Sequence, residues 1–297
     1  MSCTILCQPL YKSVTTPRPS IVVPSPFRAI LLLKFFVFPR SITFPTTSLS
    51  PEEHITEMSQ AAGLQTYLGR ARIAPEVFQL RPDYRALLIA VEGIRPASSD
   101  EESEARLREA EESARERLAK KPVTELEHIA SWREAYKGFG AKPNKYRNSL
   151  EALTRRTEAG LPRVNRLTDI YNALSVKHQI PFGGEDLDKY TGPPKLIIST
   201  GAEEFTTTAN GETIIERPEA GEVVWCDDAG VTCRRWNWRQ GPRTALSDSS
   251  SRVLFILDAL APVSDEELHV TADELVEALS SNSPDVQTAR RLMSSDQ

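Results

Sequence analysis

The chain lacks the sequence signatures of several common functional classes. No run of about 18 or more apolar residues occurs, so no membrane-spanning helix and no membrane partner is predicted. A Walker loop, a GxGxxG turn and a GxSxG elbow are all missing, which argues against the nucleotide-binding and serine-hydrolase sites built on them. The histidines are scattered and no His-x-Glu or Cys-x-x-Cys pair occurs, so neither a metal site nor a cofactor is predicted.

The chain also has few cysteines and no excess of positive charge. Of the four cysteines, Cys3 and Cys7 lie near the N-terminus, which leaves Cys226 and Cys233 and no disulfide framework. A reducing, cytoplasmic environment fits this usage. The net charge of −5 argues against a generally basic nucleic-acid coat. No DNA partner is expected, although a local basic patch is enough to bind RNA.

Residues 1–51 have a composition of their own. They contain five basic residues, no acidic residue and many Ser, Thr and Pro. This composition resembles an organellar transit peptide, which would indicate a mitochondrial protein; a disordered extension and a start at Met58 are the alternatives. We expect a leader at 1–57, a folded domain at 58–262, and a C-terminal helix with a mobile tail at 263–297.

Residues 161–188 carry the most informative pattern. An amphipathic helix over 165–178 is predicted by apolar residues at helical spacing: Leu167, Ile170, Tyr171 and Leu174. Asn165, Asp169 and Asn172 recur at i, i+4 and i+7 on another face. This short-chained polar stripe is predicted to line a pocket. In the alternative interpretation Asn165 caps the helix and the other two are ordinary surface residues.

A Gly-Gly turn is predicted after this helix. Gly183 and Gly184 permit a ligand to approach the backbone closely, and their N–H groups can cradle a carboxylate or carbonyl oxygen. Glu185 and Asp186 would then orient an amine or a water molecule. The alternative is a tight turn in which Asp186 caps a short helical turn. Asp228, in an Asp-Asp-Ala-Gly hairpin turn, is a weaker candidate because the turn alone explains it.

The remaining periodicity predicts an α+β fold, with helices packed on a mixed, mostly antiparallel sheet. Helices are predicted over 100–120, 124–137, 144–159 and 271–281. The first is a solvated surface helix capped by Ser98 or Ser99, and the last opens with a Thr271–Glu274 capping box. Strands are predicted over 84–94, 195–200, 204–208, 212–217, 222–226, 231–239 and 252–260. Asn210-Gly211 marks a hairpin turn.

Two basic segments are candidate RNA contacts. Between 132 and 166, nine Lys or Arg stand against three Glu, which makes this run the best phosphate-contacting candidate unless it offsets the acidic helix at 100–120. In the predicted strand 231–239, Trp236 and Trp238 share one face, either as core residues or as base-stacking surfaces. Arg235, Asn237 and Arg239 on the opposite face would bind phosphate or a nucleotide edge.

Several motifs carry a family resemblance. The segment PRVNRLTDIYNALS (162–175), followed by PFGGEDLDKYTG (181–192), resembles the B3/B4 domain of the phenylalanyl-tRNA synthetase beta subunit. The segments WREAYKGFGAKPNKYR (132–147), GGEDLD (183–188) and RRWNWRQ (234–240) are similar to runs in the free-standing relatives of that domain. The chain resembles these free-standing relatives still more closely. The resemblance covers about residues 75–262. It implies a B3/B4-like fold and a site that hydrolyses tRNA charged with the wrong amino acid.

The family's site residues map onto this chain incompletely. The helix Asn of the family matches Asn172, but the Thr before it is Tyr171 here. The His of the family's turn falls on Gly183, and its pocket Glu falls near Ile256. The resemblance therefore implies a retained pocket with altered specificity.

Our first hypothesis is a free-standing protein that deacylates mischarged aminoacyl-tRNA, with Asn172, Glu185 and Asp186 in the catalytic roles. The pocket would also include Asn165, Asp169, Gly183, Gly184, Asp228 and Asn237. The tRNA acceptor end would be held by Arg133, Lys142, Lys145, Arg147, Arg235 and Arg239. The alternatives are a non-catalytic module that binds RNA or an aminoacyl group, and a small-metabolite hydrolase or sensor.

Overall fold

The structure is a computed structural model that describes residues 62–209 and 211–296, so the expected leader lies outside it. Its helices are α1 (62–69), α2 (Pro75–Leu80), α3 (Glu101–Leu118), α4 (Glu127–Gly138), α5 (Ser149–Arg156), α6 (Arg166–His178) and α7 (Asp265–Ser280). Its strands are β1 (Arg72–Ile73), β2 (Arg85–Glu92), β3 (Phe182–Asp186), β4 (Lys195–Ile198), β5 (Phe205–Ala209), β6 (Glu212–Glu216), β7 (Val223–Cys226), β8 (Val231–Arg234), β9 (Arg239–Gln240), β10 (Val253–Ala259) and β11 (Gln287–Met293). Within these residues, no helix is long and apolar enough to cross a membrane.

An antiparallel four-stranded sheet, in the order β11-β2-β10-β3, forms the centre of the fold. Both β2 and β10 are nearly continuous apolar runs, as a strand covered on both faces requires. One face, which includes Leu87 and Phe255, packs on α6 and α7. The other, which includes Leu88 and Leu254, packs on α4 and the second sheet. Each such side chain, fully buried, contributes roughly 1.5–3 kcal/mol.

The second sheet has the order β1-β4-β7-β8-β9 and is antiparallel except for the β1–β4 pair. Aromatic rings fill the space between the two sheets. The ring of Trp236 meets Tyr84 at 4.8 Å and Trp132 at 5.2 Å between centroids, both edge to face. Each pair of this kind adds about 0.5–1.5 kcal/mol beyond the burial of area. The predicted α+β class, with helices on a mixed, mostly antiparallel sheet, is confirmed.

Helix α3 differs from the solvated surface helix that its composition predicted. Leu107, Ala110 and Ala114 are buried and pack with residues of α6. Its N-cap is Asp100, which exchanges hydrogen bonds with Ser103 in a capping box, and not Ser98 or Ser99. The stripe predicts little burial because an Ala side chain covers little area, but the small Ala side chains allow α3 and α6 to pack closely.

His128 links three elements. Its Nδ1 donates to the carbonyl of Gln179 at 2.7 Å, and its Nε2 accepts from Trp132 Nε1 and from the Leu260 backbone, both at 3.0 Å. This arrangement requires the neutral ring with its proton on Nδ1. Burial accordingly lowers the pKa of His128 to about 4. The ring holds the end of α6 and the end of β10 against α4.

The C-terminal region departs from the prediction at two places. Helix α7 begins at Asp265, where Ser264 and Glu267 form the capping box, whereas Thr271 lies within the helix and donates to the carbonyl of Glu267. The residues expected to be a mobile tail include β11, which pairs with β2 along its whole length. Strand β11 alternates only weakly in hydrophobicity, and its stability comes from this pairing. The hairpin β5–β6 forms as predicted, although Asn210 lies outside the described residues.

Candidate functional site

A pocket of about 310 Å³ opens beside the edge strand β3, a volume at the lower end of the range for small-molecule sites. Helices α5 and α6, strands β3, β7, β8 and β10, and the 235–240 segment line it. Its apolar walls are Tyr171, Phe182, Trp225, Trp236, Trp238 and Ile256. Its polar groups include Arg156, Asn172, Glu185, Asn237, Gln240 and Asp258.

The two glycines that were predicted to form a turn lie inside strand β3. Gly183 pairs with Ile256 and Gly184 with Phe255 on β10. A Cβ on Gly184 would stand 3.0 Å from the ring of Phe255, so a side chain at that position would force the ring to shift. A Cβ on Gly183 would meet no atom within 4 Å. The missing side chain of Gly183 therefore leaves open space at the pocket, but not the oxyanion cradle that a turn would have provided.

The segment predicted as one strand over 231–239 is broken in the middle. Arg235 and Trp236 have φ values of 47° and 66°, so β8 ends at Arg234 and the chain turns before β9. This left-handed conformation costs roughly 1–2 kcal/mol for each non-glycine residue. The turn buries Trp236 and fixes Asn237, whose carbonyl accepts from Ser149 at the start of α5. The predicted alternation of side chains is therefore wrong.

Asp258 is a buried carboxylate of the pocket that was not predicted from the sequence. Its Oδ1 accepts from Tyr84 Oη at 2.6 Å and its Oδ2 from Asn237 Nδ2 at 3.2 Å. Asn237 Oδ1 in turn accepts from Tyr136 Oη at 3.0 Å. Burial raises the pKa of Asp258 to about 7. The sequence contained one signal for this residue: it is an acid within the apolar run of β10. It lies two residues beyond Ile256, on the same face of the strand.

Glu185 is the second buried carboxylate of the pocket. Tyr190 donates its hydroxyl to Glu185 Oε2, and burial raises the pKa of the carboxyl. Most other buried acids have a basic partner, in the pairs Glu111–Arg163, Glu151–Arg133, Asp186–Lys189, Glu222–Arg234 and Asp227–Arg243. Within the described residues, the carboxylates of Glu185 and Asp258 have no Lys or Arg nitrogen within 4.0 Å. Asp169 also has no such partner, but it lies outside the pocket.

The polar stripe of α6 divides between structural and pocket positions. Asn172 lines the pocket. Asn165 is the N-cap of α6 and accepts from the Thr168 backbone at 2.8 Å, as the alternative interpretation held. Asp169 is buried elsewhere, where it accepts from Ser99 and from the Val164 backbone. The prediction that all three residues line one pocket is wrong, because the α6 N-terminus packs beside α3.

Asp186 and Asp228 do not lie at the pocket. Strand alternation turns Asp186 to the face opposite Glu185, where it accepts from Ser250 Oγ at 2.6 Å and caps the 3₁₀ turn Leu187–Lys189. Asp228 is half exposed in the turn between β7 and β8 and pairs with Lys195 at 2.5 Å. The geometry therefore does not support the catalytic role predicted for Asp186 or the substrate-binding role predicted for Asp228.

Most of the predicted RNA-contacting arginines already interact with protein groups, and three of the predicted residues are exposed. Arg133 and Arg147 surround the buried Glu151 at 2.9 and 4.0 Å. Arg235 pairs with Glu222 at 3.3 Å and stacks on Tyr146, while Arg239 donates to Thr207. The exposed members are Lys142, Lys145 and Arg147.

Arg156 was not predicted, yet it is exposed on α5 and lines the pocket. Within the described part of the chain it has no carboxylate within 4.0 Å. Arg156 is therefore the basic residue best placed to meet an anionic part of a pocket ligand.

Comparison with known proteins assigns a family to this region. Residues 131–278 match the B3/4 domain family, and this range contains every residue that lines the pocket. Among solved structures the chain is similar to an N-terminal fragment of the phenylalanyl-tRNA synthetase beta-subunit from Pyrococcus horikoshii, with 13% identity and a TM-score of 0.38. The similarity covers 75% of this chain and 53% of that one, so it spans about half of the fragment's length. A search of the curated proteins found no match.

Proposed function

The chain carries a B3/4 domain, and from that premise we propose that its pocket binds an aminoacyl group on the acceptor end of tRNA and hydrolyses the ester that joins them. The observation that carries the proposal is an aromatic-walled pocket with two buried carboxylates and no basic partner for either among the described residues. An aminoacyl group brings an ammonium to such a pocket, and the aromatic walls accept its apolar parts.

Asp258 is the general base in this proposal. Its ionised carboxylate takes a proton from a water molecule while the water oxygen attacks the ester carbonyl carbon. The bond between that carbon and the ribose oxygen then breaks, and the ribose hydroxyl leaves with the proton. Tyr84 and Asn237 hold the carboxylate by one hydrogen bond to each oxygen, and the Asn172 amide is available to donate to the carbonyl oxygen.

The exposed basic residues would hold the RNA. Arg156 lines the pocket, and Lys142, Lys145 and Arg147 are exposed on the preceding loop. Contacts of this kind make affinity fall steeply with salt concentration.

A second candidate function is supported by the state of the other arginines. Arg133, Arg235 and Arg239 already interact with Glu151, Glu222 and Glu216, which reduces the positive field available to a nucleic acid. A pocket that binds a small amine or hydrolyses its ester without RNA fits this arrangement. A module that binds an aminoacyl group without catalysis fits this pairing of the arginines as well.

The test uses the full chain with a panel of correctly and incorrectly charged tRNAs, and follows loss of the aminoacyl ester. We expect saturable deacylation of one mischarged species, with a rate that rises with pH through about 7 because the base must be ionised. The variant Asp258→Asn should lose about a hundredfold or more in kcat. Asp228→Asn makes the same chemical change outside the pocket and should retain the wild-type rate.

Each alternative has its own result. Salt-sensitive tRNA binding without hydrolysis would replace the hydrolase by a binding module. Hydrolysis of small amino-acid esters that free tRNA does not inhibit would favour the small-molecule function. Equal loss of rate in Asp258→Asn and Asp228→Asn would exclude Asp258 as the base.

A further inference from the structure

The two carboxylates of the pocket stand at opposite ends of one strand face. Glu185 pairs directly with Leu254, and Gly183 pairs with Ile256, so both residues of β3 face the same side as Leu254 and Ile256. Asp258 is two residues further along that face. Asp258 lies four residue steps beyond Leu254 along the strand, which places the two acids about 13 Å apart along the strand direction between Cα atoms.

The surface between these acids is apolar and open. Ile256 and Gly183 form it, and the space where a Gly183 side chain would begin is empty for 4 Å. Trp225, Trp236 and Trp238 line the same pocket. A ligand whose ester lies at Asp258 therefore extends its side chain across an apolar floor toward Glu185.

Glu185 is in an unusual state for a buried acid of this protein. It accepts a hydrogen bond from Tyr190, but within the described residues it has no Lys or Arg within 4.0 Å. Five other buried acids have such a partner. The hydrogen-bonding side chains of Gln240, Thr244 and Thr232, like that of Tyr190, act against the effect of burial on its pKa, but all four are neutral. A cationic group that reaches Glu185 therefore supplies the opposite charge that this buried carboxylate lacks.

We infer that Glu185 selects aminoacyl groups whose long, flexible side chain ends in an amine, with the methylene stem over Gly183 and Ile256 and the ammonium at Glu185. This inference rests on the proposed function for the location of the ester, and it adds the class of side chain. It makes Glu185 a specificity residue, distinct from the base Asp258.

The experiment measures binding of amino-acid amides to the full chain by titration calorimetry. L-Lysinamide and L-norleucinamide share the α-amine and a straight four-carbon stem, and differ in the terminal amine. We expect lysinamide to bind about tenfold tighter or better, as a hydrogen bond to a charged group provides. In Glu185→Gln the two amides should bind with equal affinity, with norleucinamide unchanged. Glu277→Gln, at an exposed position on α7, is the matched control and should keep the preference.

Two results would overturn the inference. Equal affinity of the two amides for the wild-type chain would show that the pocket does not recognise a cation on the side chain of the ligand. A loss of both amides in Glu185→Gln by the same factor would place the α-ammonium, and not the side chain, at Glu185.

A second variant covers a failure of Glu185→Gln to fold. Gly183→Ala adds a methyl group where the structure has space, so it should fold and weaken both amides by a similar factor while keeping their ratio. Unchanged affinity of both amides in Gly183→Ala would place the stem elsewhere and exclude the inference. The proposed function fails separately, if amides bind with the expected preference but no charged tRNA is bound or deacylated.

Discussion

Replacing Asp258 by Asn removes a carboxylate that burial makes costly to ionise. The pKa of this group is raised from 3.8 to about 7, which corresponds to about 4 kcal/mol at about 1.4 kcal/mol per pH unit. Because the folded-state pKa lies above the unfolded value, the folded chain holds the proton more tightly. The stabilising contribution is complete below about pH 4 and is lost as the pH rises through about 7.

The amide in Asp258→Asn does not titrate, so the variant avoids this loss. The free energy of unfolding of the variant minus that of the wild type should rise by up to about 4 kcal/mol between about pH 4 and pH 8. In addition to this rise, a constant contribution of roughly 1–3 kcal/mol at every pH should lower the stability of Asp258→Asn relative to the wild type. The reason is that the amide nitrogen of the new Asn faces the donor group of Asn237. The change with pH, and not the value at one pH, is therefore the quantity to read.

Urea denaturation of both chains at a series of pH values measures this difference. Asp228→Asn, the same substitution at a half-exposed position outside the pocket, is the control and should not reproduce the rise seen in Asp258→Asn. A difference between Asp258→Asn and wild type that stays constant from pH 4 to pH 8 would refute the reasoning. It would mean that the folded chain holds Asp258 ionised throughout, and the predicted rise of the deacylation rate through about pH 7 would fail with it.

Two further predictions concern the scaffold of the pocket. The pKa of His128 is lowered from 6.5 to about 4, so the free energy of unfolding should fall by about 3 kcal/mol as the pH decreases from 6.5 to 4. In His128→Gln the free energy of unfolding should lose this dependence on pH, which the same urea series measures. Gly184→Ala should destabilise the chain by about 1–3 kcal/mol in thermal unfolding, because the methyl group meets the Phe255 ring at 3.0 Å, whereas Gly183→Ala should cost less; equal costs would contradict the packing.

The central sheet was predictable because its signals are local. The apolar runs at 84–94 and 252–260 correspond to β2 and β10, which are buried on both faces. The stripe of Ile170 and Leu174 correctly predicted the packed face of α6. In each case the period of the pattern matches the element, and tertiary packing strengthens the local preference.

The errors occur where the deciding contact is distant in sequence. Nothing local indicates that Arg235 and Trp236 adopt a positive φ, since neither is glycine; the burial of Trp236 among Tyr84 and Trp132 imposes it. Gly183 and Gly184 look like a turn, but the Phe255 ring on β10 explains why a strand has a glycine at 184.

Asp258 shows most clearly why the site itself was harder to predict than the fold. Its hydrogen-bond donors are Tyr84, which directly precedes β2, and Asn237 of the 235–238 turn, 174 and 21 residues away. The chain supplies basic partners to the buried Glu111, Glu151, Glu222 and Asp227, so its fold is able to neutralise buried acids. Leaving Glu185 and Asp258 with raised pKa values lowers stability at neutral pH, and local rules of this kind are broken mainly at functional sites. A variant that supplies the missing charge, such as Ile256→Lys between the two acids, should therefore abolish ligand binding at the pocket; binding of L-lysinamide with wild-type affinity to that variant would show that the unpaired acids serve no ligand.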